Sequence, residues 1–381
     1  MLQRLYVHNF RCLENFELNL KDMPSALLIG KNGSGKSTVL KALEIFQSIG
    51  RGITRVDQLI SLKDFPNKNV DATTQLEDID TTIRFEIDVL LEGCTYRYCL
   101  VFGLQQISSS HNNRKEQLRI FEEELFISDE RIYFINGEQG SAFLEDQKDA
   151  TRFLVDNEYV SLPGQFSKVN ILKSWLGKII LLTPIPSLMK GESKGETLHP
   201  IRNGSNFGTW VSGLLSDYPN YATHQIAKYL RELMPDIDSF LNEPISKNAK
   251  SIVVRFKANN KARSLDFEDL SDGEKCFFLC AVVLTANEYY GPLFCFWDEP
   301  DNYLSLSEVG HFVMSLRRAF KNSGQILVTS HNEEAIRKFS DENTFVLDRK
   351  SHLEPTLIRR LSDLPQKGDL VNTLIRGDLE L

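Results

Sequence analysis

Two repeating patterns of apolar and polar residues predict where the strands and helices of this chain lie. Residues 2–9 and 14–20 resemble a pair of strands, and the apolar residues 26–29 predict a short buried strand. Residues 36–49 are predicted to be helical. A period of two begins after Thr82, in the apolar positions Ile83, Phe85, Ile87 and Val89. The N-terminal part of the chain is therefore expected to contain mainly strands.

An antiparallel meander is predicted next. Residues 95–104, 118–128 and 131–136 have the composition of consecutive strands, with a polar tip at residues 108–116. The acidic run 122–124 is interpreted as a solvated strand face rather than a metal site. The polar run 66–80, which precedes the meander, has the composition of a loop or mobile linker.

The middle of the chain changes to helical patterns. Residues 167–177 predict a helix that leads to a strand at 178–182, and a glycine-rich loop follows at 190–208. Residues 207–215 and 221–234 are the most helical stretches of this region. We interpret them as a small helical lid, which two further strands follow at 251–257 and 264–267.

Two continuous apolar runs, residues 293–297 and 325–329, have the length of strands that are buried on both faces. A helix is predicted before the first of them, at residues 274–290. Strands of this kind belong to parallel sheets covered by helices, which places the chain in the α/β class.

Composition limits the class of protein. The chain has 381 residues, of which 41% are hydrophobic and 25% charged, and its net charge is −8. Such a chain forms two or three units with a sizeable core, and its acidic balance argues against a general nucleic-acid coat but not against a local basic groove. With no apolar run of about 20 residues and no signal-peptide core, it is expected to be cytoplasmic and without a membrane partner.

The six cysteines contain no C-x-x-C pair. Cys276 and Cys280 share one face of a predicted helix, but no histidine lies close in sequence to complete a zinc site. We expect ordinary buried thiols and no structural metal.

The segment LIGKNGSGKSTVL carries the clearest chemical signal. It places a glycine-rich loop between a strand end and a helix start, and it fits the pattern G-x-x-x-x-G-K-[ST]. Backbone N–H groups and the positive end of the helix can hold a triphosphate there because glycine keeps side chains away. Lys36 is predicted to reach the terminal phosphates and Ser37 to bind Mg²⁺. The predicted nucleotide-binding residues of this loop are Gly30, Lys31, Asn32, Gly33, Ser34, Gly35, Lys36, Ser37 and Thr38.

Two further groups of residues follow the buried strands. Asp298 and Glu299 come directly after residues 293–297, where Asp298 can bind the Mg²⁺ ion and Glu299 can polarise the attacking water. His331 lies just beyond residues 325–329, at the sheet edge expected to carry the other site residues. It is therefore a candidate sensor of the γ-phosphate, although a lone histidine is more often structural.

A second anion-binding helix end is predicted at the segment LSDGEK. Ser271, Gly273 and the start of the following helix offer backbone N–H groups to a phosphate. One triphosphate has no use for two such ends on one chain, so a head-to-tail dimer with shared sites is expected. On local grounds, Ser271 or Asp272 could simply cap the helix.

In order, the segments GKNGSGKS, LSDGEK, LFCFWDEP and TSH resemble the ABC-type ATPase heads of the SMC, RecF and OLD group. The opening LYVHNFRCLENFELNL is also similar to RecF-like members. The resemblance implies an α/β P-loop head with a mixed or parallel core sheet, an antiparallel β meander and a small helical lid. It also implies an ATPase that uses ATP and Mg²⁺ and forms a homodimer on ATP, with hydrolysis opening the dimer.

The resemblance assigns each of these segments to a motif of ABC-type ATPases. Residues 30–38 are Walker A, residues 270–275 the signature, Asp298 and Glu299 the Walker B pair, and His331 the switch histidine. Residues 303–305 lie where the D-loop is expected. Glu299, His331 and Lys36 are then the catalytic residues, and Ser37 and Asp298 the metal ligands.

The resemblance suggests three units: an ATP-binding lobe with the meander at 1–182, the lid at 183–250, and a lobe with the other motifs at 251–381. Asp272 replaces the usual second glycine of the signature, a variation that the RecF- and OLD-like branches tolerate. The Q-loop glutamine is either Gln165 or Gln106. About 50 residues follow His331, too few for the Toprim nuclease of OLD proteins, so a nuclease partner would be another polypeptide.

Three functional hypotheses remain open at this level. The first is an ATPase that regulates or senses for a separate effector, such as a nuclease or toxin, in a prokaryotic antiphage defence system. The second is a RecF-like ATPase of DNA repair, for which Arg317, Arg318 and Lys321 are candidate DNA contacts but are more simply a solvated helix face. The third is a scaffold gated by ATP with little turnover.

Overall fold

A computed structural model of the chain describes residues 1–66, 82–108, 114–142, 151–162, 167–259 and 261–364. Three sheets, eight α-helices and five short 3₁₀-helices make up the regular structure of these ranges. The helices are α1 (Lys36–Gly50), α2 (Val56–Leu59), α3 (Ser167–Gly177), α4 (Phe207–Asp217), α5 (Pro219–Leu233), α6 (Asp272–Tyr290), α7 (Leu306–Asn322) and α8 (Glu333–Arg337).

The predicted N-terminal strand pair and meander form one antiparallel sheet of eight strands, in the order β2-β1-β4-β5-β6-β7-β8-β9. Alternation along β4 is confirmed, because Ile83, Phe85, Ile87 and Val89 are all fully buried. The strands are β1 (Leu2–His8), β2 (Phe16–Asn19), β4 (Ile83–Leu91), β5 (Cys94–Ser108), β6 (Arg114–Ile127), β7 (Glu130–Asn136), β8 (Gln139–Ala142) and β9 (Thr151–Leu154). The last two of these strands were not predicted.

The acidic run at 122–124 corrects one expectation. Glu123 is fully buried rather than part of a solvated face. Its carboxylate accepts hydrogen bonds from Tyr98 Oη at 2.7 Å and from the backbone N–H groups of Ser161 and Leu162 at 2.9 and 3.0 Å. Burial raises the pKa of Glu123, and these donors oppose that shift by stabilising the charged form. The residue therefore joins the meander to the segment that leads into α3.

Four of the predicted strands, together with β16 and β17, form a six-stranded sheet with the order β10-β14-β15-β3-β16-β17, and it provides the frame of the site. All neighbouring pairs are parallel except β16 and β17. The strands are β3 (Ser25–Gly30), β10 (Ile180–Leu182), β14 (Phe294–Trp297), β15 (Gln325–Thr329), β16 (Thr344–Asp348) and β17 (Leu357–Arg360). The mixed, mainly parallel core sheet is confirmed, and β3 lies between β15 and β16.

A third sheet lies beside the helices of the lid. It has the order β11-β12-β13, with strands β11 (Ile237–Ser246), β12 (Ala249–Ala258) and β13 (Lys261–Asp266). The predicted helices are present as α4 and α5, but β11 was missed. Because β11 pairs with β12 along most of its length, hydrogen bonds cross the predicted unit boundary between residues 250 and 251.

Apolar layers cover both faces of the six-stranded sheet. On one face, α1 and α3 lie between this sheet and the antiparallel sheet, and Phe294 and Phe296 of β14 belong to that core. On the other face, Cys295 and Trp297 pack with α4 to α7. Fully buried Trp297 meets Phe312 edge to face at 5.6 Å, and burial of an aromatic side chain contributes about 1.5–3 kcal/mol. The strands are thus apolar on both faces, as their continuous runs predicted.

Arg317 corrects a second expectation, because its guanidinium turns inward from α7. It donates from Nε to Ser25 Oγ at 3.2 Å and from Nη1 to the carbonyl of Lys338, and it lies 4.8 Å from the centre of the Phe339 ring. Burial lowers the pKa of Arg317. The side chain therefore ties α7 to the start of β3 and to the end of α8, whereas Arg318 is exposed.

The cysteines are free thiols. Cys276 and Cys280 on α6 are buried, as are Cys99 and Cys295, while Cys12 and Cys94 are half-buried. Burial raises the pKa of Cys276 to about 12, which leaves the thiol protonated at neutral pH. Within the described ranges, no helix is long and apolar enough to cross a membrane.

Candidate nucleotide site

The glycine-rich loop lies at the carboxyl end of β3, in the middle of the six-stranded sheet, and α1 begins directly after it at Lys36. Ligands of open α/β sheets bind at this edge, where loops follow the carboxyl ends of the strands. Gly35 has φ of 109°, a conformation that suits glycine. A Cβ atom at Gly35 would stand 2.7 Å from Thr356 Oγ1, so a side chain there is also excluded by space.

Lys36 is held inside the loop that precedes it. Its Nζ atom donates to the carbonyl of Gly30 at 2.6 Å and to the carbonyl of Lys31 at 3.2 Å, and the residue is 7% exposed. Burial lowers the pKa of Lys36, while the negative charges of Glu299 and Asp298 raise it. The ammonium group is thus desolvated, which favours a negatively charged partner, and Asp298 and Glu299 supply such charges in the structure.

Asp298 and Glu299 follow β14, the second strand from β3, and one hydroxyl organises them. Thr329, the last residue of β15, donates from Oγ1 to Asp298 Oδ1 at 2.6 Å and accepts from the Glu299 backbone N–H at 2.9 Å. Glu299 has φ of 48°, which is uncommon for a residue with a side chain. The Thr329 hydroxyl stabilises that backbone geometry. Sequence reasoning missed Thr329, although it precedes Ser330 and His331 directly.

Both oxygens of the Glu299 carboxylate face side chains. Asn302 Nδ2 donates to Glu299 Oε2 at 2.5 Å, and His331 Nε2 lies 3.4 Å from Glu299 Oε1. Burial lowers the pKa of His331, and the nearby charge of Lys36 lowers it further, whereas Glu299 and Asp298 act in the opposite direction. The imidazole is therefore neutral at neutral pH. The structure brings His331 to the predicted carboxylate.

Asp301 and Ser330 form a second link between the same two loops. Ser330 Oγ donates to Asp301 Oδ2 at 2.8 Å, and the residue Asp301 is 5% exposed. Its other carboxylate oxygen, Oδ1, has no hydrogen-bond partner among the described residues. Burial raises the pKa of Asp301 and the Ser330 hydroxyl opposes this shift. The segment after β14 is therefore tied to the loop that carries His331.

These elements surround a cavity of about 960 Å³. Its walls include the loop from Asn32 to Thr38, the two acidic residues Asp298 and Glu299, the segment after β1, and residues of the β16–β17 connection. Gly30 and Lys31 contribute through the carbonyls that hold Lys36. The cavity therefore combines the glycine-rich loop, one buried cation and the carboxylates of Asp298 and Glu299.

The residues fit a nucleotide with Mg²⁺. Ser34 Oγ is buried at the cavity wall without a hydrogen-bond partner, and buried polar groups normally have one. The hydroxyl of Ser37 and the carboxylate of Asp298 line the same cavity, and oxygen atoms are the ligands that Mg²⁺ takes. A triphosphate in the loop and Mg²⁺ between these two residues suit the donors that are present.

Ser271 and Gly273 lie apart from this cavity. Neither Ser271 nor Gly273 is among the described residues that line the cavity. Ser271 caps α6: its Oγ accepts from the Glu274 N–H at 3.3 Å, and the Glu274 carboxylate accepts from the Ser271 N–H at 2.7 Å. A Cβ at Gly273 would be 3.1 Å from the Tyr303 carbonyl, so the signature turn packs against the D-loop segment. Within its own chain, Ser271 therefore acts as the N-terminal cap of α6, as the local alternative in the sequence analysis predicted.

The two Q-loop candidates stay untested. Gln165 lies outside the described residues. Gln106 lies near the end of β5, where the backbone pairs with β6 at Glu116, and its side chain is outside the described part of the chain.

The profile of one protein family, described as "AAA domain, putative AbiEii toxin, Type IV TA system", matches residues 25–337. Two curated proteins are similar over shorter stretches. The OLD nuclease of Thermus scotoductus is 49% identical over 45 residues, 12% of this chain and 8% of that protein. The ABC transporter ATM1 of Plasmodium falciparum is 26% identical over 175 residues, 43% of this chain and 15% of the transporter. The chain thus spans a small part of each relative.

Solved structures with the same fold include SMC heads. A head bound to the C-terminal winged-helix domain of ScpA has a TM-score of 0.55 at 14% identity, covering 94% of this chain and 98% of that one. A head with an extended coiled coil bound to the C-terminal domain of ScpA, from Pyrococcus furiosus, has a TM-score of 0.50 at 11% identity, covering 95% and 96%. The predicted resemblance to SMC, RecF and OLD heads is confirmed, as is the predicted fold class.

Proposed function

This chain belongs to the AbiEii-type AAA domain family, and we propose that it binds and hydrolyses ATP in the cavity beside the glycine-rich loop. One observation carries the proposal: the loop with Lys36, the carboxylates of Asp298 and Glu299, and His331 meet at one edge of the sheet. These are the parts that phosphoryl transfer to water requires, namely a phosphate cradle, metal ligands and a residue that orients the water.

In this proposal the chain holds the triphosphate through backbone N–H groups of residues 32–38 and through Lys36. Lys36 exchanges its bonds to the Gly30 and Lys31 carbonyls for phosphate oxygens, which are stronger partners of an ammonium group because they are charged. Ser37 and Asp298 hold Mg²⁺, which neutralises charge on the phosphates when it is bound. Thr329 keeps the Asp298 carboxylate in place for this role.

Glu299 orients and polarises the attacking water. For this its carboxylate needs a free oxygen, and in the structure Asn302 and His331 stand at both oxygens. We infer that closure of the site moves Asn302 or His331 away from Glu299, with neutral His331 then free to donate to the γ-phosphate. Asn302 directly precedes the D-loop segment, so a contact made by that segment can reach Glu299.

The proposal includes a head-to-tail dimer. Ser271 and Gly273 begin the long helix α6, whose N-terminus has backbone donors and a favourable dipole for phosphate, yet they lie away from the cavity of their own chain. The neighbouring residues Tyr303 and Leu306 expose 39% and 74% of their surface. A second copy related by a two-fold axis would bring Ser271 and Gly273 to the partner's nucleotide and cover these apolar side chains.

For the biological role we propose regulation of a separate effector, such as a nuclease or toxin, in a prokaryotic antiphage defence system. The family description, which names a toxin–antitoxin system, and the short similarity to an OLD nuclease support this role. Purification from the native operon tests it. A neighbouring gene product that co-purifies in an ATP-dependent manner is expected, and a head that captures none of its neighbours under either condition contradicts the role.

The ATPase proposal is tested by the release of phosphate from ATP and by the native mass of the protein. We expect turnover that depends on Mg²⁺ and rises more steeply than linearly with protein concentration, because each complete site needs two chains. Binding of ATP without turnover at any concentration would support a gated scaffold instead. Failure to bind ATP at all would contradict the assignment of the cavity.

A further inference from the structure

Thr356 contacts the back of the glycine-rich loop from the far end of the chain. It lies in the connection between β16 and β17 and is 3% exposed. Its Oγ1 donates to the Ser34 carbonyl at 2.9 Å, and its backbone N–H donates to the Cys12 carbonyl at 2.8 Å. Thr356 therefore joins three segments that are distant in sequence: the connection after β1, the glycine-rich loop and the C-terminal hairpin.

The bond to Ser34 concerns the orientation of a peptide group. A loop that turns successive N–H groups toward an anion turns carbonyl groups away from it. A carbonyl buried behind the loop needs a donor, since an unmade bond at a buried polar group costs free energy. The Thr356 hydroxyl is that donor for Ser34. It favours the peptide orientation in which the next N–H group, that of Gly35, points away from Thr356.

The same side chain limits the position of Gly35. A Cβ atom there would stand 2.7 Å from Thr356 Oγ1 and 3.3 Å from Thr356 Cγ2, so glycine and threonine fit against each other closely. The same Cβ atom would stand 3.3 Å from Cys12 Sγ, and this thiol lies 3.5 Å from Thr38 Oγ1. Thr356 thus contacts one end of residues 34–38, at Ser34, and Cys12 contacts the other end, at Thr38.

The connection that carries Thr356 is internally braced. Arg349 donates from Nε to the Glu354 carbonyl at 2.6 Å and from Nη2 to the His352 carbonyl at 2.5 Å. His352 and Leu353 line the cavity as well. The connection from residue 349 to residue 356 is thus a folded wall of the cavity.

We propose that Thr356 is a positioning residue for nucleotide binding, which sets the glycine-rich loop in its phosphate-binding shape through the Ser34 carbonyl. This rests on the proposed function, because the ligand is taken to be ATP. Thr356 acts through Ser34 and Gly35 and reaches no reacting atom. Its consequence is that the C-terminal hairpin controls the affinity for nucleotide without supplying a motif residue.

The test compares ATP binding by the full chain and its variants, measured by calorimetry in EDTA so that no turnover occurs. Thr356→Val keeps the shape of the side chain but removes the donor, and Thr356→Ser keeps the hydroxyl. We expect the Kd for ATP to rise about tenfold in Thr356→Val, the factor that one lost hydrogen bond produces, and to stay within about twofold of the unchanged protein in Thr356→Ser. Steady-state kinetics should show a raised KM with kcat nearly unchanged.

Thr223→Val is the matched control. Thr223 Oγ1 also donates to a backbone carbonyl, that of Pro219 at 2.7 Å, but it is exposed on α5 and lines no part of the described cavity. We expect it to bind ATP as the unchanged protein does. Equal affinity of Thr356→Val and the unchanged protein, or equal weakening in Thr356→Ser and Thr356→Val, overturns the inference.

ATP binding by Lys36→Ala and thermal unfolding of each variant distinguish a failure of the proposed function from a failure of the inference. If the unchanged protein binds no ATP, or if Lys36→Ala binds it equally well, the proposed function fails. If Lys36→Ala loses binding but Thr356→Val binds ATP as tightly as the unchanged protein, the inference fails and the proposed function stands. Thermal unfolding of each variant accompanies the binding data, and Thr356→Ala serves where Thr356→Val does not fold, with the same expected loss of affinity.

Discussion

The Thr329 hydroxyl donates to Asp298 Oδ1 across a distance of 2.6 Å, at the point where two parallel strands end side by side. The same oxygen accepts the backbone N–H of Glu299. A single side chain on β15 therefore orients one acidic residue directly and the next through the backbone. This arrangement gives Thr329 a measurable role in the proposed hydrolysis, although it reaches no phosphate itself.

Thr329→Val is expected to lower kcat about tenfold while the Kd for ATP in EDTA stays nearly unchanged. The variant removes the donor to Asp298 and leaves the shape of the side chain, and one lost hydrogen bond corresponds to about that factor. Thr329→Ser is expected to keep most of the activity. Full activity of Thr329→Val over a titration with Mg²⁺ would count against the role.

Glu299→Gln is expected to bind ATP but to hydrolyse it at least about a hundredfold more slowly. A carboxamide is isosteric with the carboxylate but cannot polarise water as a base. If the dimer proposal is right, size-exclusion chromatography with light scattering should detect a stable dimer in ATP and a monomer without it. A variant that hydrolyses ATP at the normal rate would remove Glu299 from the mechanism.

Lys36→Ala is expected to weaken ATP binding about a hundredfold and to abolish turnover. The ammonium group is the one cation buried among the described cavity residues, and charge-assisted bonds to phosphate are stronger than neutral ones. Lys21→Ala, at an exposed lysine in the turn before β3, is the control for a lost positive charge. Calorimetry with ATP checks both variants, and retention of binding and turnover in Lys36→Ala contradicts the site.

His331 should titrate below its ordinary pKa of 6.5, because burial and the charge of Lys36 both disfavour the imidazolium. The imidazole is then neutral at pH 7. Since the unfolded chain binds this proton more readily than the folded chain, protonation opposes the folded state as the pH falls through 6.5. NMR titration of the histidine ring protons, assigned with His331→Gln, measures the pKa.

Two variants should move this pKa in opposite directions. Lys36→Ala removes a repelling charge and raises the pKa of His331, whereas Glu299→Gln removes an attracting charge and lowers it. An unchanged pKa in both variants would mean that His331 does not share the environment of Lys36 and Glu299.

Arg317→Ala is expected to lower the free energy of unfolding by about 2 kcal/mol, because the carbonyl of Lys338 loses its donor and the Phe339 ring loses its cation. Arg318→Ala, at the exposed neighbour, should change it by less than about 0.5 kcal/mol. Urea denaturation measures both. The RecF-like alternative predicts a different result: duplex DNA that stimulates the ATPase with a steep dependence on salt, and loss of that stimulation in Arg318→Ala.

The parts of the candidate site that are continuous in the chain could be predicted from the sequence. The glycine-rich loop, the acidic pair after β14 and His331 after β15 each follow a strand with a clear apolar pattern, and carboxyl ends of parallel strands meet at one edge. Thr329 and Thr356 could not be assigned in the same way. Their roles depend on which strands are neighbours, and hydroxyl residues at strand ends are common.

Errors in the prediction have a related cause. Glu123 stands in an acidic run and Arg317 in a basic helix turn, and local composition predicts solvated faces for both. Each is instead paired within the fold, Glu123 with Tyr98 and Arg317 with Ser25 and Phe339. Strand β11 was missed because it begins directly after the helices of the lid and contains Pro244, which argues against a strand.

The position of β3 between β15 and β16 has a consequence for how the protein is made. The glycine-rich loop leaves the ribosome before the strands on both sides of β3 and before Thr356, which are synthesised about 300 residues later. At the usual pace of translation this delay is on the order of half a minute. A nascent or prematurely terminated chain therefore carries the whole glycine-rich loop without its frame. We therefore expect the ability to bind nucleotide to appear only after Thr356 has been synthesised.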